Sequence, residues 1–327
     1  MKRLKVGVIG VGYVGALHAQ VYARLPAAQL VGVYDTNPVR AKEVAEQLGC
    51  EPVARLEELF GRIDVASVAV PTSAHHAVGK TLLEAGVHVL IEKPIAISLA
   101  EADDLLATAR RAKRILQVGH IERFNAAIQA AQRYLKHPRF IEAHRLSAYP
   151  FRGTDVSVVL DVMIHDLDLV LSLVGSKPIQ IDAAGVPVLS PTEDIANARL
   201  VFASGCVANL TASRVSDESI RRIRLFQEDC YLSIDYKQQT VQLARKLATS
   251  IKRSSVDVRR RPPLDDQLRA FLRSVQTNDR PLVAGEEARA ALALALDIEQ
   301  TMRAFGRKLS KARAVRTSPA RSIVHGP

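Results

Sequence analysis

Between residues 4 and about 118 the chain alternates short β-branched apolar runs with longer stretches of Ala, Leu, Glu and Arg, the pattern of parallel strands covered by helices. Strands are expected over 4–10, 29–35, 65–70, 87–92 and 115–119, and helices near 14–25, 38–48, 74–85 and 98–113. Ser98, followed three residues later by Glu101, is a capping-box signature for the last helix. From about residue 122 the rhythm changes. A helix near 126–136, a strand near 140–148 and a helix near 160–174 lead into the strand-like segments QIDAAGVPV, ANARLVFAS, CVANLTAS, RRIRLFQ and CYLSIDY, with no helix between them. Consecutive strands joined by short loops pair antiparallel. The segment 252–263 reads as a mobile surface loop, and helices near 264–277 and 285–304 close the chain. The expected fold is α/β: a doubly wound N-terminal domain (1–122), a C-terminal α+β domain (123–306) on an open, mostly antiparallel sheet, and a basic tail (307–327) expected to be mobile.

Composition narrows the function. The chain has 327 residues, more than one core usually supports, and its 48% hydrophobic and 24% charged content is that of an ordinary globular protein. The longest apolar stretches, VASVAV and GVHVLI, fall far short of the roughly 20 residues that span a bilayer, so no membrane association is expected. The N-terminus carries spaced glycines rather than a signal-peptide core, and Cys50, Cys206 and Cys230 show no paired spacing, which fits a reducing cytoplasm. The net charge of +11 would suit nucleic acid or a phosphorylated small molecule. Six of those charges, Arg307, Lys308, Lys311, Arg313, Arg316 and Arg321, lie in the tail, and no helix-turn-helix, zinc finger or stacking platform accompanies them, which disfavours nucleic acid. A sheet with helices on one face leaves the other to be covered, so a homodimer or homotetramer through the C-terminal sheet is expected.

Gly10, Gly12 and Gly15 form G-x-G-x-x-G directly after the first strand, with Tyr13 and Val14 opening the helix. Such glycines permit a tight turn and close approach to a pyrophosphate, the mark of a Rossmann dinucleotide-binding domain. Asp35, twenty residues on at the end of the second strand, can accept bonds from ribose hydroxyls and would repel a 2'-phosphate, so NAD is expected over NADP. Arg40 nearby either accommodates such a phosphate or is solvated. Glu92, Lys93 and Pro94 stand at the end of the strand over 87–92, the sheet edge where ligands bind, and a lysine there could exchange protons with a substrate hydroxyl or polarise it. Asp161 and His165 are four apart in an expected helix, so both lie on one face and the carboxylate can orient the imidazole. No further Cys/His cluster completes a metal site, and none is expected.

Four features in order, the glycine turn with Asp35, VPTSAHH (70–76), EKP (92–94) and LDVMIHDLD (160–168), resemble the Gfo/Idh/MocA family of oxidoreductases across nearly the whole chain. The resemblance implies a catalytic Lys93, a functional Asp161 and His165, and a nicotinamide region lined by Pro71, Thr72 and His75. VGHIERFNAA (118–127) with VVLDVMIHDLDLVLSLV (158–174) looks most like the branch that oxidises UDP-N-acetylglucosamine at C3. That implies a nucleotide-sugar hydroxyl between His165 and Lys93, with either as the base. Arg123 is carried over as a pocket residue, His120 as a pocket group or packed neighbour, and Arg152 as a partner for substrate phosphate. The alternatives are another sugar, an inositol or a keto intermediate as substrate, or a dinucleotide-sensing regulator without catalysis.

Overall fold

The structure, a computed structural model, describes residues 3–149 and 156–317, with side chains to Gly306. Strands β1 (Leu4–Ile9), β2 (Ala28–Tyr34), β3 (Glu51–Pro52), β4 (Val65–Val68), β5 (His88–Ile91) and β6 (Leu116–Val118) form a parallel sheet in the order β3-β2-β1-β4-β5-β6. Helices α1 (Tyr13–Arg24), α2 (Pro38–Leu48), α3 (Thr72–Glu84) and α4 (Leu99–Ala112) connect them. β4 is buried at every position, as a strand covered on both faces must be. The strand order reverses between β1 and β4, and the crevice outside their C-terminal ends is where this architecture binds ligands. Local capping follows the residues: Asn37 accepts from the Val39 and Arg40 amides at the start of α2, and Gly49 ends it at φ +66°. Ser98 accepts from the Glu101 amide, while the Glu101 carboxylate reaches back to the Ile97 amide.

The second sheet holds β7 (Phe140–Leu146), β8 (Pro178–Val186), β9 (Ile195–Phe202), β10 (Val207–Ser213), β11 (Ile220–Phe226), β12 (Cys230–Asp235), β13 (Thr240–Lys246) and β14 (Ile251–Val256). Their order is β14-β13-β12-β11-β7-β10-β9-β8, and every pair is antiparallel except β7 with β10. The expected loop over 252–263 is corrected here: its first part is β14, an edge strand whose first five positions are all exposed. A strand without a buried face shows no apolar alternation to read. Helices α5 (Ala126–Gln132), α6 (Ile164–Val174) and α8 (Gly285–Thr317) cover one face of this sheet. Thus α5 ends earlier than its sequence pattern suggests, and α8 continues past residue 304.

Helix α7 (Pro263–Thr277) crosses back to the first domain, where Leu268, Phe271 and Leu272 join the core under α1. Helix α8 is shared. Ala288 and Leu292 lie in the core on the α3–α4 side of the first sheet, whereas Leu294, Ala295, Ile298 and Met302 lie in the core of the second. Arg24 pairs with Asp265 at 2.5 Å and Arg289 with Asp103 at 2.9 Å, fastening both helices to the first domain.

The face of the second sheet turned from the helices carries one apolar row across six strands. Val201, Val207, Phe140, Phe226, Tyr231 and Ala244 are direct register neighbours, all half-buried. The Phe226 and Tyr231 rings meet with centroids 4.8 Å apart, tilted by 39°. The next row out holds Arg199, Asn209, Glu142 and Arg224.

Candidate active site

The first strand runs into a turn that leaves little room for side chains. Gly10 sits at φ +80°, where a Cβ would lie 2.7 Å from the Ala69 carbonyl oxygen, and a Cβ on Gly15 would lie 1.7 Å from the Gly10 carbonyl oxygen. Gly12 differs: a Cβ there would meet nothing within 4 Å, so its open side is an approach surface for a ligand's phosphates at the start of α1. Tyr13 and Val14 beside it are 75% and 42% exposed, an apolar strip of the kind a bound dinucleotide covers. Asp35 stands under the turn. Its two oxygens accept from the Val11 amide at 2.8 Å and the Asn37 amide at 2.9 Å, which fixes the carboxylate at the ribose end of the crevice. Arg40 folds back over the same turn, donating from Nε to the Val11 carbonyl oxygen at 3.0 Å and pairing with Glu43. These residues fit a dinucleotide, with Asp35 at the position that selects against a 2'-phosphate.

The two loops that follow β4 and β5 meet at His75. This imidazole is buried, with Nδ1 at 2.8 Å from the Pro94 carbonyl oxygen and Nε2 at 3.0 Å from that of Val70. Both nitrogens face backbone carbonyl oxygens and the single N–H of the neutral ring donates to one of them, so His75 packs the loop carrying Lys93 against the loop carrying Pro71 and Thr72. Glu92 is fixed from the other side: His18 Nε2 lies 3.2 Å from its carboxylate, His18 Nδ1 contacts the Ser67 hydroxyl at 3.2 Å, and Tyr22 contacts the same hydroxyl at 2.9 Å. Burial raises the Glu92 pKa, but the bond from His18 and the charge of Lys93 outweigh it and hold the carboxyl below its usual range. None of His18, Ser67 or Tyr22 carries a motif in sequence, because the chain crosses strands to bring them together.

Lys93 Nζ donates to the Asp161 carboxylate at 2.9 Å and to the Asp161 carbonyl oxygen at 2.7 Å. The expected Asp161–His165 pairing does not form. Val159–Met163 make a π-turn ahead of α6, and the wider turn takes Asp161 out of the i, i+4 register that a regular helix would impose. A π-turn leaves no periodicity signal in sequence, and such turns concentrate at functional sites. His165 is partly exposed, with Nδ1 turned inward and without a protein partner. Burial first, then the charges of Lys93 and Arg145, push its pKa well below the usual value, so it stands as a neutral imidazole near pH 7. His120 lies behind it, fully buried, with ring centroids 6.2 Å apart at 87°. Arg123 is a layer further back, donating to Asp168 at 3.5 Å and to the Leu282 carbonyl oxygen at 3.3 Å. Arg152 lies outside the described residues. No three His, Cys, Asp or Glu side chains among the described residues converge on a possible metal position.

Under this layer Arg145 binds Asp166 through Nε and Nη2, both at 2.9 Å, and Glu122 through Nη1 at 2.9 Å. The three tie β7 and the start of α6 to the domain crossover at Glu122.

Four imidazoles have depressed pKa values. Burial lowers His75, His120 and His165, and burial with the charge of Arg114 brings His88 to about 4. The unfolded chain therefore takes up more protons than the native one below the ordinary histidine pKa of about 6.5. Stability is full above that pH and falls as the pH drops below it, by up to about 1.4 kcal/mol per pH unit for each such group. Thermal melts are expected to lose several degrees between pH 7.5 and 5.5, before carboxylates titrate; a melting temperature flat over that interval would contradict the assignment.

A dinucleotide crevice opening onto a lysine locked to a carboxylate, with a neutral imidazole beside it, defines an NAD-binding oxidoreductase. The profile of the oxidoreductase family with an NAD-binding Rossmann fold matches residues 4–120, and that of the GFO/IDH/MocA C-terminal domain matches residues 109–232. The chain is 38% identical over 93% of its length to UDP-N-acetylglucosamine 3-dehydrogenase from Acidithiobacillus ferrooxidans, covering 99% of that protein. The solved structure of that enzyme superposes with a TM-score of 0.89. Myo-inositol 2-dehydrogenase from Thermotoga maritima is 26% identical over 89% of the chain and 94% of its own length. The chain belongs to the Gfo/Idh/MocA family of oxidoreductases. No helix among the described residues is long and apolar enough to cross a membrane.

Proposed function

We propose that the chain is an NAD-dependent dehydrogenase that oxidises the C3 hydroxyl of UDP-N-acetylglucosamine to a ketone. The near full-length similarity to the Acidithiobacillus enzyme carries this reading. The Gly10–Gly15 turn and Asp35 hold the dinucleotide, with Tyr13, Val14, Pro71 and Thr72 along its path. When bound, the nicotinamide supplies the hydride acceptor. His165, neutral because its pKa is depressed, takes the hydroxyl proton at Nε2, the nitrogen not turned into the protein, in the tautomer that carries its own proton on Nδ1. Lys93, steadied by Asp161, donates to the oxygen as it becomes a carbonyl. The test is nicotinamide absorbance on mixing protein, NAD+ and UDP-N-acetylglucosamine with a carbonyl trap. Reduction is expected with NAD+ and little with NADP+. Asp35→Ala should weaken NAD+ by about 10-fold or more, the worth of a charge-assisted hydrogen bond, and narrow the preference between the two cofactors. No reduction despite bound NAD+ overturns the substrate assignment and sends the search to inositols and other sugars.

A second copy of the chain covers the outer face of the large sheet in this reading. The row from Val201 to Ala244 offers a continuous apolar line flanked by Arg and Glu, suited to a self-complementary contact. Replacing Phe226 with Glu is expected to yield monomers in sedimentation, and a wild-type monomer at micromolar concentration would remove this assignment. The three unpaired thiols suit a cytoplasmic enzyme.

A further inference from the structure

Oxidation of an alcohol to a ketone by NAD+ yields a reduced nicotinamide and one proton. The proton reaches His165 at the front of the site, where substrate and cofactor face it and where Asp161 is already committed to Lys93. Behind His165 lies a set of buried polar atoms without protein partners: His165 Nδ1, both nitrogens of His120, Arg123 Nε and Asp168 Oδ2. Native proteins rarely strand so many polar atoms together, and ordered water is the usual link between them. Asp168 and Arg123 in turn line a cavity of about 510 Å³ between the end of α6 and the start of α8, with exposed Ser172, Lys177 and Glu286 among its lining residues. The other polar chain leading from the Lys93 loop, through Glu92, His18 and Ser67, ends at Tyr22, which is fully buried and reaches no solvent.

We propose that the proton accepted by His165 leaves through the back of the site, by way of His120 and Asp168, into this cavity. The inference rests on the dehydrogenase reading above. His165 gains the hydroxyl proton at Nε2 and gives up the one on Nδ1 to a bridging water. His120 accepts from that water on one ring nitrogen and releases from the other to the Asp168 carboxylate, which passes the proton to water in the cavity. His165 is left as the Nε2–H tautomer and is reset by solvent exchange once the ketone departs.

The charges around the path suit transfer in this direction. His120 is faced by Asp168, Glu92, Lys93 and Arg123, His165 by Lys93, Arg145, His120 and Arg221, and Asp168 by His120, Arg123 and Glu287. Burial lowers the two imidazoles and raises Asp168, so a proton is passed on rather than held until it reaches the carboxyl at the cavity.

Single-turnover stopped flow with UDP-N-acetylglucosamine, following nicotinamide absorbance and a pH-indicator dye together, tests the route. Proton release should track nicotinamide reduction in the wild type and lag it at least 10-fold in His120→Gln and in Asp168→Asn. Synchronous release in a folded variant overturns the route; if His120→Gln does not fold, Asp168→Asn decides. A wild type that fails to reduce NAD+ with this sugar indicts the substrate reading alone, so a second measurement needs no substrate. In protein carrying 15N-labelled histidine, exchange of the His165 Nδ1 proton with water should slow at least 10-fold in Asp168→Asn. Unchanged exchange sinks the proposal whatever the substrate is.

Discussion

Lys93→Met is expected to lower kcat by about 10³-fold while leaving NAD+ affinity nearly unchanged. The loss follows from the position of Nζ, which is anchored on both the carboxylate and the carbonyl oxygen of Asp161 and so is presented in one geometry to the crevice. A preorganised donor aimed at an oxygen that gains carbonyl character contributes in the range of 10²–10³, and proton-transfer assistance a further 10²–10⁴. Methionine keeps the length of the stem and removes the charge. The glycine turn and Asp35 lie on other loops, so a fluorescence titration with NAD+ should barely move. A variant retaining a tenth of wild-type turnover would remove Lys93 from the chemistry.

Arg145→Met carries the largest expected cost in stability. The guanidinium is about 6% exposed and is the shared partner of Asp166 and Glu122, themselves 2% and 7% exposed. Burial in a low-dielectric interior is tolerable for these carboxylates because one cation serves both. Removing it strands two charges, and the loss of one member of a buried ion network costs about 3–5 kcal/mol. Chemical denaturation should show an unfolding free energy lower by that amount, with turnover lost alongside, since Asp166 neighbours His165. A replacement of both carboxylates by amides together with Arg145→Met should recover part of the deficit. An unfolding free energy within about 1 kcal/mol of wild type for the single variant would show that the carboxylates find protons or water instead.

What could be read from sequence was what local geometry enforces. Gly10 and Gly15 are glycine because backbone stands within 3 Å of any Cβ, and the spacing to Asp35 follows from one strand-helix-strand passage. Ser98 and Glu101 mark a helix start by contacts three and four residues long. Pairings set by distant strands were not legible. Arg145 meets partners 21 and 23 residues away, and His18 reaches Ser67 across 49. Asp161 shows the limit most sharply: its residue type and spacing to His165 pointed to a helical pair, and one π-turn gave it to Lys93. In the hairpin of β13 and β14 the outermost strand buries only Val256, and β13 buries only Val241 and Leu243, too short an alternation to stand out in sequence.

Helix α8 has a mechanical consequence. It begins in the hydrophobic interior of one domain and, two turns on, enters that of the other, so the same rigid rod is embedded in both. A hinge that swung the domains apart would have to bend this helix or drag Leu292 or Leu294 out of its packing, at a cost of a few kcal/mol per side chain. The width of the crevice above Lys93 is thus built in before any ligand arrives. A substrate in this crevice is therefore selected by fit against two domains that one helix holds at a single spacing.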